Sequence, residues 1–376
     1  MNHRRQVVFM SFMLTISLLG DAFLYLALPL FHESFGMSML WVGIILSINR
    51  FVRLFLNSLI VRLINKHGFK KLLVIASLCA SVSTLIYGLS TAIWVLLLAR
   101  IIWAVAYSIL RISNLAYATK DPESSGYFLG MYHSVQEFGP MIVLLIGPTF
   151  LQWVTLQDFF IYLGLFTLIT LPLGKNIPEQ PIKKPKKEQP ILARPNKPNI
   201  IMFFSTFLVD GIYVVTIGLV LLNIGYSQEK ALYAASILLV LKRFITLIFS
   251  IWIGKLFDKF SVNQLIYYAC IGFSVSTFLI MVQLIWVGSI LMLIFFAMIS
   301  VGLPKYVSIH SKVKKRIQNL SDLSTWRDFA AALGALLGGS FFIYIDFQWT
   351  YGLFFIIWCM FGYYWRTYTL NVKVVK

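Results

Sequence analysis

The feature that most constrains this chain is a succession of apolar runs, each close to the roughly 20 residues that an α-helix needs to cross a bilayer. Hydrophobic residues make up 59% of the sequence and charged residues 12%, whereas about 25% of an average soluble domain is charged. A soluble protein cannot bury so much apolar surface, so we predict an all-α membrane protein with twelve transmembrane helices. The runs cover residues 7–31, 38–62, 71–90, 92–117, 127–151, 157–174, 200–222, 230–254, 264–285, 287–309, 321–345 and 347–367.

The formal net charge of +18 follows from membrane topology and does not require a nucleic-acid partner. Most lysines and arginines fall in alternate connections between the runs, for example at 62–71 and 312–316, whereas the opposite connections contain only Lys230. Basic residues are enriched in the cytoplasmic loops of membrane proteins. We therefore predict a multi-pass protein integral to the plasma (inner) membrane, with both termini in the cytoplasm, the lipid bilayer as its surroundings and no nucleic-acid partner.

The stretch at 45–73 recurs in a weaker form at 238–264, which indicates an internal duplication. The matched positions are Arg50 with Arg243, Phe51 with Phe244, Arg62 with Lys255, and Lys66 with Lys259. Between the two copies, the segment at 175–199 is rich in proline and lysine, a composition typical of an extended linker. We predict two pseudo-symmetric six-helix bundles, at 1–174 and 200–376, joined by a cytoplasmic linker at 175–199.

The connection that ends each copy resembles a known family pattern, Gly-x-x-x-Asp-Arg/Lys-x-Gly-x-Lys/Arg. The first connection keeps Lys66, Gly68, Lys70 and Lys71, with Val61 and Asn65 in place of the first Gly and the Asp. The second keeps Gly254, Asp258 and Lys259 and lacks the later Gly. The chain thus resembles the major facilitator superfamily of secondary transporters, and its pattern is similar to that of the twelve-span proton-coupled exporters in that family.

The resemblance implies alternating access, in which the transporter opens to one side of the membrane at a time. In such a cycle, contacts at a helix end form in one state and break in the other. The gating role falls on the residues that match the pattern, namely Lys66, Gly68, Lys70, Lys71, Gly254, Asp258 and Lys259. The alternative is a basic loop that sets the topology and takes no part in gating.

Charged residues inside the apolar runs indicate the substrate site, because a charge at the bilayer centre costs about 2.5–3.5 kcal/mol and needs a cavity or a partner. Basic residues outnumber acidic ones in these runs, and arginine binds carboxylates through two parallel hydrogen bonds. We therefore predict an anionic substrate. The candidate substrate-binding residues are Arg50, Arg53, Tyr25, Arg243, Lys242, Arg327 and Tyr107. The alternative is that some bases, Arg111 first among them, extend to the cytoplasmic edge.

Acidic residues in the runs are candidates for carrying a coupling proton. Burial favours the neutral form of a carboxylate and a nearby arginine favours the charged form, so movement of the arginine changes proton binding. Two stretches also resemble the family: Arg100 lies in one similar to its Arg-x-x-x-Gly stretch, which implies proton coupling, and Gly20-Asp21 resembles the first span of its exporters. The predicted proton-coupling residues are Asp21, Arg100, Glu137, Asp210 and Asp328.

These assignments predict a monomeric secondary transporter, without cofactor or metal, that exports a small organic anion or carboxylate-bearing metabolite, for example a siderophore or metallophore, by proton antiport. One alternative is an antiporter of lipophilic compounds, which would stack on Tyr25, Trp103, Tyr107, Tyr132 and Trp326. Two others are a non-transporting membrane receptor and an intramembrane enzyme. His133 and Glu137 lack a third ligand at metalloprotease spacing, so we predict that the protein is not an enzyme.

Overall fold

The computed structural model describes residues 3–31, 35–177 and 195–371, and these residues form helices with no β-strand. The first group of helices is α1 (His3–Leu30), α2 (Met39–His67), α3 (Phe69–Leu89), α4 (Ile93–Ala118), α5 (Ser125–Phe150), α6 (Leu156–Thr167) and α7 (Thr170–Asn176). The second group is α8 (Lys197–Thr206), a π-helical segment (Phe207–Tyr213), α9 (Val214–Asn223), α10 (Gln228–Lys259), α11 (Val262–Met281), α12 (Ile285–His310), α13 (Arg316–Tyr344) and α14 (Phe347–Asn371). The predicted all-α class is confirmed.

Among the described residues, nine helical stretches are long and apolar enough to cross a membrane. They coincide with predicted spans one to four and six to ten. The sixth span combines α6 with α7, and the seventh combines α8, the π-helical segment and α9. Helices α5, α13 and α14 cover the other three predicted spans. The number of twelve crossings stays a prediction, and most of the predicted linker, at 178–194, lies outside the described residues.

Polar side chains and one glycine fix several helix ends. The side chains of Thr155, Asn196 and Ser227 accept hydrogen bonds from backbone N–H groups in the first turns of α6, α8 and α10, which satisfies donors that a helix start leaves open. Gly68 separates α2 from α3 with φ 82°, a left-handed conformation that favours glycine. Its N–H bonds the carbonyl of Ile64 at 2.8 Å. The predicted gating residue Gly68 thus has a backbone role at this turn.

The chain forms two compact units, and α5 and α13 each contribute to both. The first unit takes the described residues within Met1–Ala118, Val135–Ala193 and Lys312–Thr325; the second takes those within Thr119–Ser134, Arg194–Ser311 and Trp326–Lys376. The predicted bundle boundaries, 1–174 and 200–376, stay a prediction.

Each unit has its own aromatic core. In the first unit the ring of Phe23 on α1 meets those of Phe159 and Phe160 on α6 at centroid distances of 4.7 and 5.5 Å. In the second unit α11 packs on α14 through Phe273 and Trp358, whose rings stack at 4.2 Å. The first of these cores packs α1, which carries Asp21, against α6.

Candidate functional site

The most deeply buried charge of the first unit is Arg100 on α4, whose side chain has 0% exposure. It forms an ion pair with Asp21 on α1, whose side chain is 14% exposed. Its guanidinium also donates to the hydroxyls of Tyr25 on α1 and Tyr87 on α3, at 3.3 and 3.4 Å. Asp21 and Arg100, both predicted as proton-coupling residues, are therefore direct partners.

Arg100 also reaches the backbone of α2. It donates to the carbonyl oxygen of Ile45 at 3.0 Å and to that of Leu46 at 3.3 Å, and the Tyr25 hydroxyl donates to the Leu46 carbonyl at 2.8 Å. A buried charge is stable only when it is paired and its remaining hydrogen-bonding groups are satisfied. One arginine thus holds four helices of this unit, α1 to α4, around the Asp21 carboxylate.

Two tyrosine rings in the first unit are each approached by two guanidinium groups. The Tyr25 ring centroid lies 5.8 Å from Cζ of Arg50 and 5.4 Å from Cζ of Arg100. These distances are within the roughly 6 Å at which an aromatic ring attracts a cation. Arg50 and Tyr25, both predicted to bind substrate, are thus brought together by α1 and α2.

The second ring, Tyr107 on α4, lies 4.5 Å from Cζ of Arg53 and 5.8 Å from Cζ of Arg111. Arg53 and Arg111 are both buried. Arg111, which the sequence offered as a base that extends to the membrane edge, lies beside the Tyr107 ring, and that alternative stays a prediction. Together with the Tyr25 site, this arrangement concentrates positive charge along α2 and α4.

In the second unit, Asp210 lies in the seventh predicted span, which is the first span of its half as the Asp21 span is of the other. It lies in the π-helical segment Phe207–Tyr213, a type of local widening that occurs frequently at functional sites. Asp210 forms an ion pair with Lys242 on α10, and its other oxygen lies 3.7 Å from Nη2 of Arg327 on α13. Lys242 and Arg327, predicted to bind substrate, are here the partners of an acidic group. The three side chains are 18–22% exposed. This cluster is therefore more open than the Arg100 clamp, which consists of Arg100 and its partners Asp21, Tyr25 and Tyr87.

The motif residue Asp258, near the end of α10, caps the start of α5 within the second unit. Its carboxylate accepts hydrogen bonds from the backbone N–H groups of Gly126 and Tyr127 at 2.8 and 2.7 Å, and it forms an ion pair with Lys305 on α12. A negative charge is stabilised at a helix N-terminus by the open N–H donors and by the helix dipole. Asp258 therefore joins three helices through one carboxylate.

The family can now be compared directly. A model of the Major Facilitator Superfamily matches residues 10–309. The chain belongs to the major facilitator superfamily. A comparison with curated protein sequences gives no significant match.

Solved structures of superfamily members share the fold. The crystal structure of the human organic anion transporter MFSD10 (TETRAN) is 12% identical, covers 97% of this chain and 100% of its own, and has a TM-score of 0.76. A double-tryptophan mutant of XylE is 15% identical, with coverage of 96% and 94% and a TM-score of 0.69. The proton:xylose symporter XylE bound to 6-bromo-6-deoxy-D-glucose is 13% identical, covers 96% of both chains and has a TM-score of 0.62. As a member of this superfamily, the protein is a transporter.

Sequence reasoning missed Lys305, which it counted among the residues at the cytoplasmic end of a span. The structure buries this lysine inside α12, next to Pro304. A basic residue that follows an unbroken apolar run and precedes further apolar residues was the available signal. Its partner, Asp258, was predicted as a gating residue, but the pairing between α10 and α12 was not.

Sequence reasoning also missed a pair of small-residue motifs. Gly126 and Gly130 on α5 face Ser250 and Gly254 on α10, and a Cβ added to Gly254 would overlap the carbonyl oxygen of Gly126. Small residues spaced four apart let membrane helices approach through their backbones. The predicted gating residue Gly254 therefore serves as a contact point between α5 and α10.

The remaining predicted residues are Glu137 on α5, Arg243 on α10, Asp328 on α13 and the gating lysines at the helix ends. The Gln136 amide donates to Glu137 at 3.3 Å, and His133 Nε2 lies 3.1 Å from the carbonyl oxygen of Ser300. Asp328 is buried and Arg243 is partly buried. The predicted gating lysines are all exposed at the ends of their helices: Lys66, Lys70, Lys71 and Lys259. The roles assigned to these residues stay predictions.

Proposed function

We propose that this superfamily member is a proton-coupled antiporter that exports a small organic anion or carboxylate-bearing metabolite across the plasma (inner) membrane, with both termini in the cytoplasm. The observation that carries the proposal is the pair of tyrosine rings at which arginines of α2 meet arginines of α4. The metal-chelating carboxylates of siderophores and metallophores belong to this substrate class.

The arginines divide into two kinds. The guanidinium of Arg100 is engaged by Asp21, two tyrosine hydroxyls and two carbonyl oxygens, so it positions the helices around it. Arg50 and Arg53 lie over aromatic rings, and a planar guanidinium matches the geometry of a carboxylate. Two arginines one helical turn apart suit a substrate with a carboxylate group, which each arginine can bind through two parallel hydrogen bonds.

The acidic groups proposed to carry the proton are paired with basic groups. In the first unit a substrate carboxylate competes with Asp21 for the positive charge along α2 and α4, and a carboxylate that loses its cation binds a proton more readily. The cluster of Asp210, Lys242 and Arg327 offers the same exchange in the second unit. Substrate binding and the protonation state of these acids are thereby coupled, and the antiport direction is taken from the resemblance of Gly20-Asp21 to the first span of proton-coupled exporters.

Asp258 supplies a contact that can form and break during the cycle. Its bonds to the α5 backbone join α10 to a helix that the sequence places in the other half of the predicted duplication, and its ion pair with Lys305 joins α10 to α12. Release of these bonds frees α5 from α10, so the Asp258 cap is a bistable element of the kind that alternating access needs. The exposed motif lysines complete this gating set.

The structural neighbours are consistent with this function but share only the fold. One is an organic anion transporter and another is a proton:xylose symporter. The alternative of a lipophilic substrate loses support because Trp103 and Tyr132, two of its proposed stacking residues, are each 1% exposed and packed inside the helices.

A binding screen on purified protein tests the substrate class. Thermal stability is measured with a panel of mono-, di- and tricarboxylates and with tetraphenylphosphonium as a lipophilic cation. We expect a carboxylate to stabilise the protein and the stabilisation to be lost in Arg53→Ala. Stabilisation by the lipophilic cation alone would overturn the anionic assignment and favour the multidrug alternative.

A further inference from the structure

Asp322 is an acidic residue of α13 that the sequence assignments leave without a role. It lies within a predicted span and is partly buried. Its carboxylate accepts a hydrogen bond from the Gln318 side-chain amide at 2.8 Å. Across the described ranges 3–31, 35–177 and 195–371, the structure records no ion pair between this carboxylate and a lysine or arginine.

This environment differs from that of the other aspartates described above. Asp21 is paired with Arg100, Asp210 with Lys242, and Asp258 with Lys305. A cation stabilises the charged form of a carboxylate, whereas burial without one favours the protonated form. A single neutral amide donor can serve Asp322 in either form, since a protonated carboxyl group keeps an oxygen that accepts. Asp322 is therefore placed to gain and lose a proton without breaking an ion pair.

The charged residues on the adjoining elements do not change this conclusion. They are Arg316 on α13 itself, and Arg53 and Arg62 on α2, the helix that the structure ties to this part of α13. Within the described ranges, none of these bases forms a recorded ion pair with the Asp322 carboxylate, whose recorded partner is the Gln318 amide.

The position of Asp322 connects it to the proposed substrate site. One turn further along α13, the Thr325 hydroxyl accepts a hydrogen bond from the Asn57 amide on α2 at 3.2 Å. Asn57 lies one turn after Arg53 on α2. Moreover, α13 passes from the first compact unit to the second immediately after Thr325. A change of charge at Asp322 therefore acts on the segment of α13 that is bonded to the arginine-bearing helix.

We propose that Asp322 is a site that binds and releases the coupling proton, with Gln318 as the residue that positions its carboxylate. This assignment rests on the proposed proton antiport. Asp322 is thus a further proton site beside the paired acids, and its protonation leaves no buried base without its anion. It lies at the end of α13 that the predicted topology places towards the cytoplasm.

Infrared difference spectroscopy tests the proton site without a substrate. The full-length protein, reconstituted in lipid, is taken from alkaline to mildly acidic pH, ending above the range in which exposed carboxylates protonate, and the carbonyl stretch of protonated carboxyl groups is recorded. We expect Asp322→Asn to lose one such band that the wild type shows. The matched control is Asp346→Asn, which removes an exposed aspartate just beyond α13 and should keep the wild-type spectrum. A wild-type band pattern in Asp322→Asn would overturn the proposal.

A second variant keeps the test decisive if Asp322→Asn does not fold. Gln318→Leu removes the side-chain amide that donates to Asp322. That hydrogen bond stabilises the ionised carboxylate more than the neutral acid, so its loss favours protonation. The carboxyl band should then appear at higher pH than in the wild type. An unshifted band in a folded Gln318→Leu protein would contradict the assignment.

Transport separates this inference from the function on which it rests. Proteoliposomes are loaded with the carboxylate that stabilises the protein most in the binding screen. Asp322→Asn should keep exchange of labelled for unlabelled carboxylate and lose accumulation driven by a pH gradient. Wild-type transport that ignores the gradient would overturn the proposed antiport. Gradient-driven transport in both wild type and Asp322→Asn would overturn only the role of Asp322.

Discussion

The substitution Asp21→Asn tests the Arg100 clamp most sharply. It removes the negative charge that faces a fully buried guanidinium and keeps a side chain of nearly the same size. Breaking a buried ion pair by removing one partner destabilises a protein by about 3–5 kcal/mol, because the other charge is left buried without compensation. Asp21 is 14% exposed, and Arg100 keeps two carbonyl and two hydroxyl acceptors. We therefore expect a loss near the lower end, about 3 kcal/mol.

A double-mutant cycle separates this charge effect from packing. Arg100→Gln and the double variant Asp21→Asn/Arg100→Gln are compared with the single change by unfolding in detergent. Residues in one ion-pair network couple by about 0.5–3 kcal/mol, so the double variant should be more stable than the sum of the single losses predicts. Additive losses would show that the pair has no energetic coupling.

The same variant is assayed for transport in proteoliposomes, with Asp346→Asn as the control. If Asp21 exchanges a proton as proposed, Asp21→Asn inserts into the membrane but loses transport driven by a pH gradient. Stability within about 0.5 kcal/mol of the wild type, the size of an ordinary surface change, together with intact gradient-driven transport would refute the reasoning about this clamp.

Three further changes test the substrate site and the α5–α10 contact. Arg50→Ala should weaken carboxylate binding by about 1.5–3 kcal/mol, the range for a hydrogen bond to a charged group, and unchanged affinity in a calorimetric titration would remove Arg50 from the site. Gly254→Leu places side-chain atoms where the Gly126 carbonyl now lies, so transport should be lost while membrane insertion persists; normal transport would show that close approach is unnecessary. Asp258→Asn leaves Lys305 buried without its anion and should lower the melting temperature in detergent, and adding Lys305→Met should restore part of it. A double variant no more stable than Asp258→Asn would contradict the pairing.

Hydropathy was sufficient to predict the helical class, because bilayer thickness fixes the length of each apolar run. The apolar runs also made the interior charges identifiable, because a charged residue is rare within such a run. Hydropathy could not predict which charges pair. Asp21 and Asp210 each lie in the first predicted span of their half, yet Asp21 is paired with a base on α4, whereas Asp210 is paired with bases on α10 and α13. Partner choice depends on packing between helices distant in sequence.

Some local features of the structure also could not be predicted from the sequence. The π-helical segment at Asp210 adds a residue to one turn and so changes which side chains face α10, and no residue type predicts it. Lys305 and Asp322 were overlooked because both lie near the ends of their predicted spans, where a charge usually meets water. The structure instead places Lys305 against Asp258 and Asp322 against Gln318.

Transport by reconstituted protein tests the central claim most directly. Proteoliposomes loaded with a stabilising labelled carboxylate are placed in a buffer of lower pH than their interior or in a buffer of equal pH, and the movement of carboxylate and of protons is followed together. The account predicts that carboxylate leaves as protons enter, that the lower external pH accelerates the flux over that at equal pH, and that Arg53→Ala abolishes it. Carboxylate flux that is independent of the pH gradient and unchanged by Arg53→Ala would contradict it.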